Sequence, residues 1–364
     1  ATQEGVGYFQ LTTRKGRRCS AAVAYLNPVR KRENLRIVTR AHTTQILFEG
    51  RRATGVEWRS ANGSLHRAKA NARVVLSAGA IGSPQILMLS GLGPAEHLRA
   101  IGIEPRADLP GVGRNLQDHL QARLVFLTHR PTLNDEVRNP FDKLRIALEY
   151  ATRRTGPMTM AASLATGFLR TSPDVATPDI QFHIQPWSAN SPGEGVHAFT
   201  ASVCQLRPES RGHLELAGMD PERAPLIHPN YLATATDCRT IVEGVRIARR
   251  IARNEPLWQE IREEYAPGDK VDDSDDAAIL DWVRNTATTI FHPTGTCKMG
   301  PSGDRMAVVD ARLSVRGVTG LSIADCAIMP EIISGNTNAP AIMIGEKASD
   351  MILEDMRTGQ RLPA

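Results

Sequence analysis

Two loops near the C-terminus carry the side chains with the clearest chemistry. The segment 291–300, FHPTGTCKMG, contains His292 before a rigid Pro-Thr-Gly-Thr run. The segment 334–340, SGNTNAP, contains Asn336 shortly before Pro340. A histidine can accept an alcohol proton at neutral pH, and an asparagine can donate a hydrogen bond to a developing alkoxide without titrating. The pattern predicts an alcohol redox site with His292 and Asn336 as its catalytic residues.

Each of these features also has an ordinary structural explanation. His292 is one of ten histidines, and glycine and asparagine at 335–338 are typical turn residues. Asp325 ends the short apolar run 321–325, where a carboxylate either caps the next turn or hydrogen-bonds a cofactor hydroxyl. The residue types leave both interpretations open for Asp325, whereas the rigid loop around His292 favours catalysis.

The cysteines form no recognisable disulfide or metal pattern. There are five of them, irregularly spaced and without a CxxC pair. We therefore predict no disulfide framework, no metal site and a reducing, cytoplasmic location. Cys297 lies close to His292 in sequence, which allows a Cys–His nucleophile pair, although a small buried residue in a tight loop is the favoured interpretation.

The composition is that of an ordinary globular protein with enough residues for two domains. Of 364 residues, 41% are hydrophobic and 23% are charged. The net charge of +5 comes from scattered Lys and Arg, with small clusters at 14–18 and 30–32. Because no nucleic-acid motif accompanies these clusters, we predict a solvated basic surface and no nucleic-acid partner. No apolar run is long enough to cross a bilayer, and peripheral contact with an anionic membrane surface stays an alternative.

A strand, a glycine turn and a helix are predicted within residues 72–90. The β-branched run 72–77 predicts a buried strand, which the glycine-containing turn 79–82 ends. Ser83 is the candidate N-cap and Pro84 the first helical position of the helix that follows over 85–90. Such a corner faces the ligand in α/β proteins.

The rest of the chain mixes strands and helices. Strands are predicted on both sides of this corner, at 35–38, 43–48, 53–58 and 179–184. Asn62-Gly63 is a hairpin signal. A long amphipathic helix is predicted over about 233–254, and residues 121–288 as a whole are typical of an α+β domain.

Three segments together resemble the glucose–methanol–choline (GMC) family of flavin-dependent alcohol oxidoreductases. Residues 79–93, GAIGSPQILMLSGLG, are similar to a specific signature of that family, and residues 111–119, GVGRNLQDH, are similar to the loop that follows it. The His292 loop, with Asp325 and 334–340, is similar to the C-terminal catalytic region. The chain is identified as a member of this family, and it resembles the alcohol and choline dehydrogenases within it.

The resemblance implies an α/β Rossmann-type FAD-binding domain and an α+β substrate domain built on an antiparallel sheet. It assigns residues 1–120 to part of the FAD-binding domain, 121–288 to the substrate-binding domain, and 289–364 to the C-terminal return of the FAD-binding domain with its catalytic loops.

The resemblance also implies roles for single residues. His292 matches the active-site histidine, and Asn336 matches the second catalytic position, which is His or Asn in different members. The residues placed to contact FAD are Thr43, Ala78, Gly79, Asp325, Cys326, Asn338 and Pro340. Thr43 belongs to the segment whose backbone meets the adenine.

One part of the family pattern is not found in this sequence. Members begin with a βαβ unit whose GxGxxG motif places the pyrophosphate at a helix N-terminus, and no GxGxxG occurs here. We expect an N-terminally truncated chain whose FAD-binding domain lacks that unit, binds FAD poorly on its own and exposes an unpaired sheet edge.

The resemblance implies oxidation of a primary alcohol to an aldehyde by hydride transfer to flavin N5. His292 is then the base, Asn336 holds the alkoxide, and the helix beginning near Pro340 stabilises negative charge on the reduced flavin. Leu164 lies at about the position where choline-specific members carry an acidic residue. The resemblance therefore favours a neutral alcohol over choline as the substrate. The electron acceptor is a quinone, another carrier or oxygen. An oxygen-using oxidase, a hydroxynitrile lyase and an inactive fragment without its cofactor site remain alternatives.

Overall fold

Contacts between residues divide the chain into two units. The computed structural model describes residues 2–188 and 196–358. One unit comprises residues 1–35, 119–207 and 234–290, and the second comprises residues 36–118, 208–233 and 291–364. By these contacts the N-terminal residues group with the middle of the chain, and residues 208–233 group with the His292 loop. The predicted boundaries at 120 and 288, and the roles of the domains, stay predictions.

The first unit is built on a seven-stranded antiparallel sheet, which confirms the sheet predicted for this part of the chain. Strand Leu120–Thr128, which pairs with three other strands, buries Ala122, Leu124 and Phe126. The hydrogen-bonded order is Gly5–Tyr8, Ala165–Leu169, Ile180–Gln185, Ala198–Gln205, Leu120–Thr128 and Ile261–Ala266, and Thr288–Thr289 also pairs with Leu120–Thr128.

The predicted long amphipathic helix spans Ala235–Ala252 and packs on this sheet. The side chain of Thr234 caps the helix by accepting a first-turn N–H at 3.2 Å. A Cβ atom on Gly244 would lie 2.9 Å from Val203 of strand Ala198–Gln205. Glycine at this position therefore allows the helix to approach the sheet closely.

The other helical segments of the first unit lie around the sheet. Two span more than two turns, Pro140–Arg153 and Asp276–Thr286. The short ones are Ala22–Leu26, Asn27–Val29, Leu133–Glu136, Pro157–Thr159 and Leu257–Glu260, and a small hairpin joins Thr13–Arg14 to Arg17–Arg18. Within residues 2–188 and 196–358, no helix combines the length and the apolar character that a membrane span needs.

The second unit contains the predicted strand–turn–helix corner. Strand Val74–Leu76 pairs in parallel with Leu321–Ile323, and the helix Gly79–Leu89 follows the first of them. Val74 and Leu76 are buried, whereas Val75 between them is 44% exposed. This parallel pair and its helix fit the predicted Rossmann-type α/β arrangement.

The helix of this corner begins earlier than predicted. It starts at Gly79 and not at Gln85, so Pro84 lies inside it and the prediction of Ser83 as its N-cap is wrong. The hydroxyl of Ser83 donates to Asp325, a distant residue that local sequence patterns do not reveal.

Antiparallel strands complete the second unit. Ala41–Glu49, Arg52–Ser60 and Leu65–Lys69 form a three-stranded sheet, which confirms the hairpin at Asn62-Gly63. The strand predicted at 35–38 is wrong: this segment pairs with no strand, and Val38 is 49% exposed. The remaining elements are strands Leu92–Gly93, Ala107–Asp108, His213–Glu215 and Leu226–His228, and helical segments Ala95–Ala100, Cys326–Ile328 and Asn338–Thr358.

The buried ion cluster on helix Ala235–Ala252 yields a stability prediction. The side chain of Arg249 is 3% exposed and contacts Glu264 at 2.7 Å and Asp273 at 3.2 Å. Arg249→Ala removes the buried partner of Glu264, whereas Asp273 keeps Arg253 at 3.0 Å. We therefore expect the free energy of unfolding to fall by about 3 kcal/mol in urea denaturation, the lower end of the loss for a broken buried ion pair. The matched control is Arg250→Ala, because Arg250 is 60% exposed; its loss should stay below about 1 kcal/mol. If both variants lose the same free energy of unfolding, the buried ion cluster does not stabilise the fold more than an exposed arginine does.

Candidate active site

His292 is positioned through its main chain. The residue is 9% exposed, and its backbone N–H donates to Asp118 Oδ1 at 2.9 Å. The preceding Phe291 has a φ of 64°, a left-handed conformation that is strained for an aromatic residue. Pro293 follows and restricts its own φ. Backbone constraints on both sides of His292 therefore set the direction of its side chain.

Asp118 connects the histidine to a second part of the unit. Its other oxygen, Oδ2, accepts from the hydroxyl of Tyr231 at 2.5 Å, and the residue is 8% exposed. Because each carboxylate oxygen has a donor, the carboxyl group has a fixed orientation. Hydrogen bonds to a charged acceptor are stronger than those between neutral groups.

The structure brings the two predicted catalytic side chains together. Asn336 Nδ2 lies 3.4 Å from His292 Nε2. An amide nitrogen donates and cannot accept, so a hydrogen bond at this contact requires a lone pair on Nε2, which is the neutral tautomer with its proton on Nδ1. The pair thus combines a proton acceptor and a hydrogen-bond donor at one point, which is the chemistry expected for taking a proton from an alcohol while holding its oxygen.

Residues 111–118, here called the anchor loop, support both catalytic loops. Gln117 exchanges two backbone hydrogen bonds with Thr294, at 3.1 and 2.9 Å. Its side chain donates to the carbonyl of Pro330 at 3.0 Å and accepts the N–H of Ile332 at 3.1 Å. One buried glutamine therefore holds the His292 loop and the segment that leads to Asn336.

Asn115, like Gln117, bonds both to the His292 loop and to Pro330. Its Nδ2 donates to the carbonyls of Gly295 at 3.2 Å and Pro330 at 3.1 Å. Gly295 has a φ of 87°, and a Cβ there would lie 2.5 Å from the carbonyl oxygen of Asn115. Only glycine allows the two loops to approach this closely.

The sequence analysis identified the anchor loop by resemblance alone and missed what its side chains do. A physical signal was present. Asn115, Gln117 and Asp118 are polar residues grouped around Leu116 in a glycine-containing loop, and buried polar groups require partners. That signal does not name the partners, because they lie far away in the sequence.

Pro84 explains how the His292 loop attaches to the helix Gly79–Leu89. Proline has no N–H, so it leaves the carbonyl of Ala80, four residues earlier, without its helical donor. The hydroxyl of Thr296 donates to that carbonyl at 2.6 Å. The proline inside the helix thus creates the acceptor that the histidine loop uses.

Asp325 is buried and joins the same elements. Its Oδ2 accepts from the Gly79 N–H at 2.9 Å and the Ser83 hydroxyl at 2.5 Å, and its Oδ1 accepts from the Ala327 N–H at 2.8 Å. Burial raises the pKa of Asp325 above its ordinary value of 3.8, although these hydrogen bonds act in the opposite direction. In the structure the carboxylate caps the turn that follows it; its predicted contact with a cofactor stays a prediction.

Three other predicted cofactor residues lie next to these elements. The carbonyl of Cys326 accepts from Gly295 at 3.2 Å, and the N–H of Ala78 donates to Ser83 at 3.1 Å. Gly79 begins the helix with a φ of 80° and has open space where a Cβ would be. Ala78 is exposed, so solvent reaches the start of the helix Gly79–Leu89.

The remaining predicted cofactor residues lie in two places. Asn338 begins the helix Asn338–Thr358 and Pro340 lies in its first turn, directly after Asn336. Thr43 lies on the three-stranded sheet opposite Trp58. An open cleft of about 540 Å³ lies beside it, lined in part by Ala41 and His42.

Cys297 is a structural residue. It has no exposed surface and belongs to the hydrophobic core of the second unit. Burial raises the pKa of its thiol well above the ordinary value, so the nucleophilic thiolate is disfavoured. The buried-residue interpretation is the one that fits, and a Cys297–His292 nucleophile pair does not.

Two protein-family models match most of the chain. A model of the N-terminal GMC oxidoreductase domain matches residues 1–121, and a model of the C-terminal GMC oxidoreductase domain matches residues 208–345. Together they cover well over half of the chain, and each catalytic loop lies within the C-terminal match. The chain belongs to the GMC oxidoreductase family.

Several curated relatives match nearly the whole chain. Mitochondrial choline dehydrogenase of Mus musculus is 42% identical over 353 residues, which is 96% of this chain and 59% of the relative. "Alcohol dehydrogenase [acceptor]" of Pseudomonas putida is 39% identical over 97% of this chain and 64% of its own length. An oxygen-dependent choline dehydrogenase of Staphylococcus aureus is 41% identical over 96% and 62%. The chain therefore spans less than two thirds of each relative.

Solved structures show the same fold. A formate oxidase of Aspergillus oryzae superimposes with a TM-score of 0.90 at 24% identity, over 98% of this chain and 66% of that one. Pyridoxine 4-oxidase of Mesorbium loti gives a TM-score of 0.82 at 28% identity, over 95% and 64%.

Asp325 yields a pH-dependent stability prediction. Because its pKa is raised on folding, the folded protein keeps this proton to higher pH than the unfolded chain, so the contribution of Asp325 to stability falls as pH rises above 3.8. Asp325→Asn cannot titrate. The stability of the wild type relative to this variant should therefore fall as pH rises from 3.8 toward neutrality, measured by urea denaturation at each pH.

Asp350→Asn is the control, because the Asp350 side chain is 73% exposed. Its stability difference from the wild type should vary little with pH. If the stability of the wild type relative to Asp325→Asn stays constant or increases as pH rises, the raised pKa that we attribute to burial is refuted.

Proposed function

We propose that this protein oxidises a primary alcohol to the aldehyde with FAD as its hydride acceptor. His292 is the base that takes the hydroxyl proton, and Asn336 donates to the alkoxide oxygen. The observation that carries this proposal is the 3.4 Å approach of Asn336 Nδ2 to His292 Nε2, which places an acceptor and a donor side by side. An alcohol oxygen bound between them would meet both groups at once.

The residues around this pair fit the flavin end of FAD. The N-terminus of the helix Asn338–Thr358 follows Asn336, and the N–H groups of a helical first turn favour negative charge. Thr294, two residues after His292, has a buried hydroxyl without a hydrogen-bond partner in the part of the chain that the structure describes. This loop therefore keeps hydrogen-bonding capacity beside the catalytic pair.

The predicted FAD-binding residues divide between the two ends of the cofactor. Ala78, Gly79, Asp325, Cys326, Asn338 and Pro340 would hold the part near the catalytic pair, and the backbone at Thr43 would meet the adenine. When bound, FAD supplies the acceptor for the hydride that leaves the alcohol carbon, at flavin N5. The contribution of the chain is to take the proton at His292 Nε2 and to hold the oxygen at Asn336.

The relatives narrow the reaction class. They are named as dehydrogenases that act on choline or alcohol, and the solved structures are named as oxidases. These names favour oxidation over a hydroxynitrile lyase reaction at the same histidine. The names include an alcohol dehydrogenase with an unspecified acceptor and an oxygen-dependent choline dehydrogenase, so a quinone, another carrier or oxygen suits the proposal as acceptor.

Choline and a neutral primary alcohol are the two candidate substrates. The 42% identity to a choline dehydrogenase favours choline. Leu164 favours the neutral alcohol, because it offers no charge to a trimethylammonium group. Location also stays a prediction, with the cytoplasm expected and peripheral membrane contact as the alternative.

The role of His292 is tested by flavin reduction. A complete enzyme that contains this chain and carries its flavin is mixed anaerobically with choline or with a neutral primary alcohol, and loss of flavin absorbance is followed by stopped flow. His292→Ala should slow reduction by about 10²–10⁴-fold because the base is lost, while the flavin content stays the same. His66→Ala is the control, since His66 is an exposed histidine of the same unit.

Unchanged reduction in His292→Ala would refute the proposal, and so would equal slowing in the control. Cleavage of a cyanohydrin by wild-type protein without any flavin reduction by either alcohol would show a lyase instead.

A further inference from the structure

A second cluster of chemically active side chains lies on the hairpin-like ribbon of strands His213–Glu215 and Leu226–His228. The two strands are antiparallel, and His213 lies directly opposite His228 in the register. Glu215 is two residues after His213, so its side chain points to the same face of the ribbon. Two imidazoles and one carboxylate therefore share one face.

These groups are close enough to hold one ion. One ligand atom from each of the three residues lies within 4.8 Å of the others. The two imidazole rings are stacked with centroids 4.6 Å apart and planes inclined by 23°. Zinc–nitrogen and zinc–oxygen bonds near 2.1 Å in a tetrahedron separate neighbouring ligand atoms by about 3.4 Å. Binding an ion therefore requires side-chain rotations that shorten these separations by up to about 1.4 Å.

Arg114 orients the carboxylate in this cluster. Its Nη2 contacts Glu215 Oε1 at 3.0 Å, and His213 Nε2 lies 3.7 Å from the same oxygen. A carboxylate has two oxygens and several lone pairs, so it can keep an arginine and also bind a metal. Ligand carboxylates are commonly held by such hydrogen bonds in metal sites.

The ribbon itself is a firm support. The Leu214 N–H donates to the Gly113 carbonyl of the anchor loop at 2.7 Å. A Cβ on Gly212 would lie 2.2 Å from the carbonyl of His228, so the strands are in close contact. The positions of the three side chains are therefore set by paired backbone, which suits a preorganised site.

We propose that His213, Glu215 and His228 form a site for a divalent transition-metal ion, with Zn²⁺ as the ion that the two nitrogens and one oxygen fit best. The exposure of His228 leaves the fourth coordination position to water. The ligand set distinguishes this ion from Mg²⁺, which prefers oxygen ligands alone. The prediction of no metal site rested on the cysteine spacing, which gives no information on a cluster of two histidines and a glutamate.

Equilibrium dialysis of the untagged full chain, stripped with a chelator and then exposed to Zn²⁺, tests the site. The wild type should retain one Zn²⁺ per chain and no Mg²⁺. His213→Gln and His228→Gln should each weaken Zn²⁺ affinity by at least about tenfold, because each removes a ligand. His66→Gln, at an exposed histidine of the same unit, should bind as the wild type does.

Circular dichroism of each variant separates loss of the site from loss of the fold; if His213→Gln unfolds, the exposed His228→Gln decides. Three outcomes would overturn the site: no Zn²⁺ retained by the wild type, unchanged affinity in a folded His228→Gln, or equal weakening in His66→Gln.

Discussion

The hydrogen bond from the backbone N–H of His292 to Asp118 is the interaction on which the site depends. It holds the histidine by its main chain, at a position where the strained Phe291 and the stiff Pro293 already limit the backbone. Tyr231 fixes the other oxygen of the same carboxylate. A buried carboxylate with both oxygens bonded cannot turn away without leaving a buried donor unpaired, which costs roughly 1–3 kcal/mol.

The anchor loop extends this constraint to Asn336, the second predicted catalytic residue. Gln117 and Asn115 each bond to the His292 loop and to Pro330, so the segment leading to Asn336 is held by the residues that hold the histidine. The 3.4 Å approach of the catalytic pair is thus a result of shared support and not of direct attraction alone. Precise placement matters because a small misplacement of catalytic groups costs rate steeply.

Local patterns in the sequence predicted the elements but not the links between them. The helix Ala235–Ala252, the hairpin at Asn62-Gly63 and the parallel strand Val74–Leu76 follow from periodicity and turn chemistry. His292 and Asn336 were predicted as catalytic residues because histidine and asparagine are chemically distinctive in rigid loops, and the structure places their side chains 3.4 Å apart. Ser83 was misassigned, and Asp118 and Tyr231 were missed, since their partners are distant in sequence and only the folded chain brings them together.

In the proposed reaction, His292 presents an unprotonated Nε2 beside Asn336. The ¹⁵N chemical shifts of the His292 imidazole, read at neutral pH and assigned by comparison with His292→Ala, test it without any substrate. We expect the neutral tautomer with its proton on Nδ1 and a lone pair on Nε2. A neutral ring with its proton on Nε2, or a fully protonated imidazolium, would rule out His292 as the base beside Asn336.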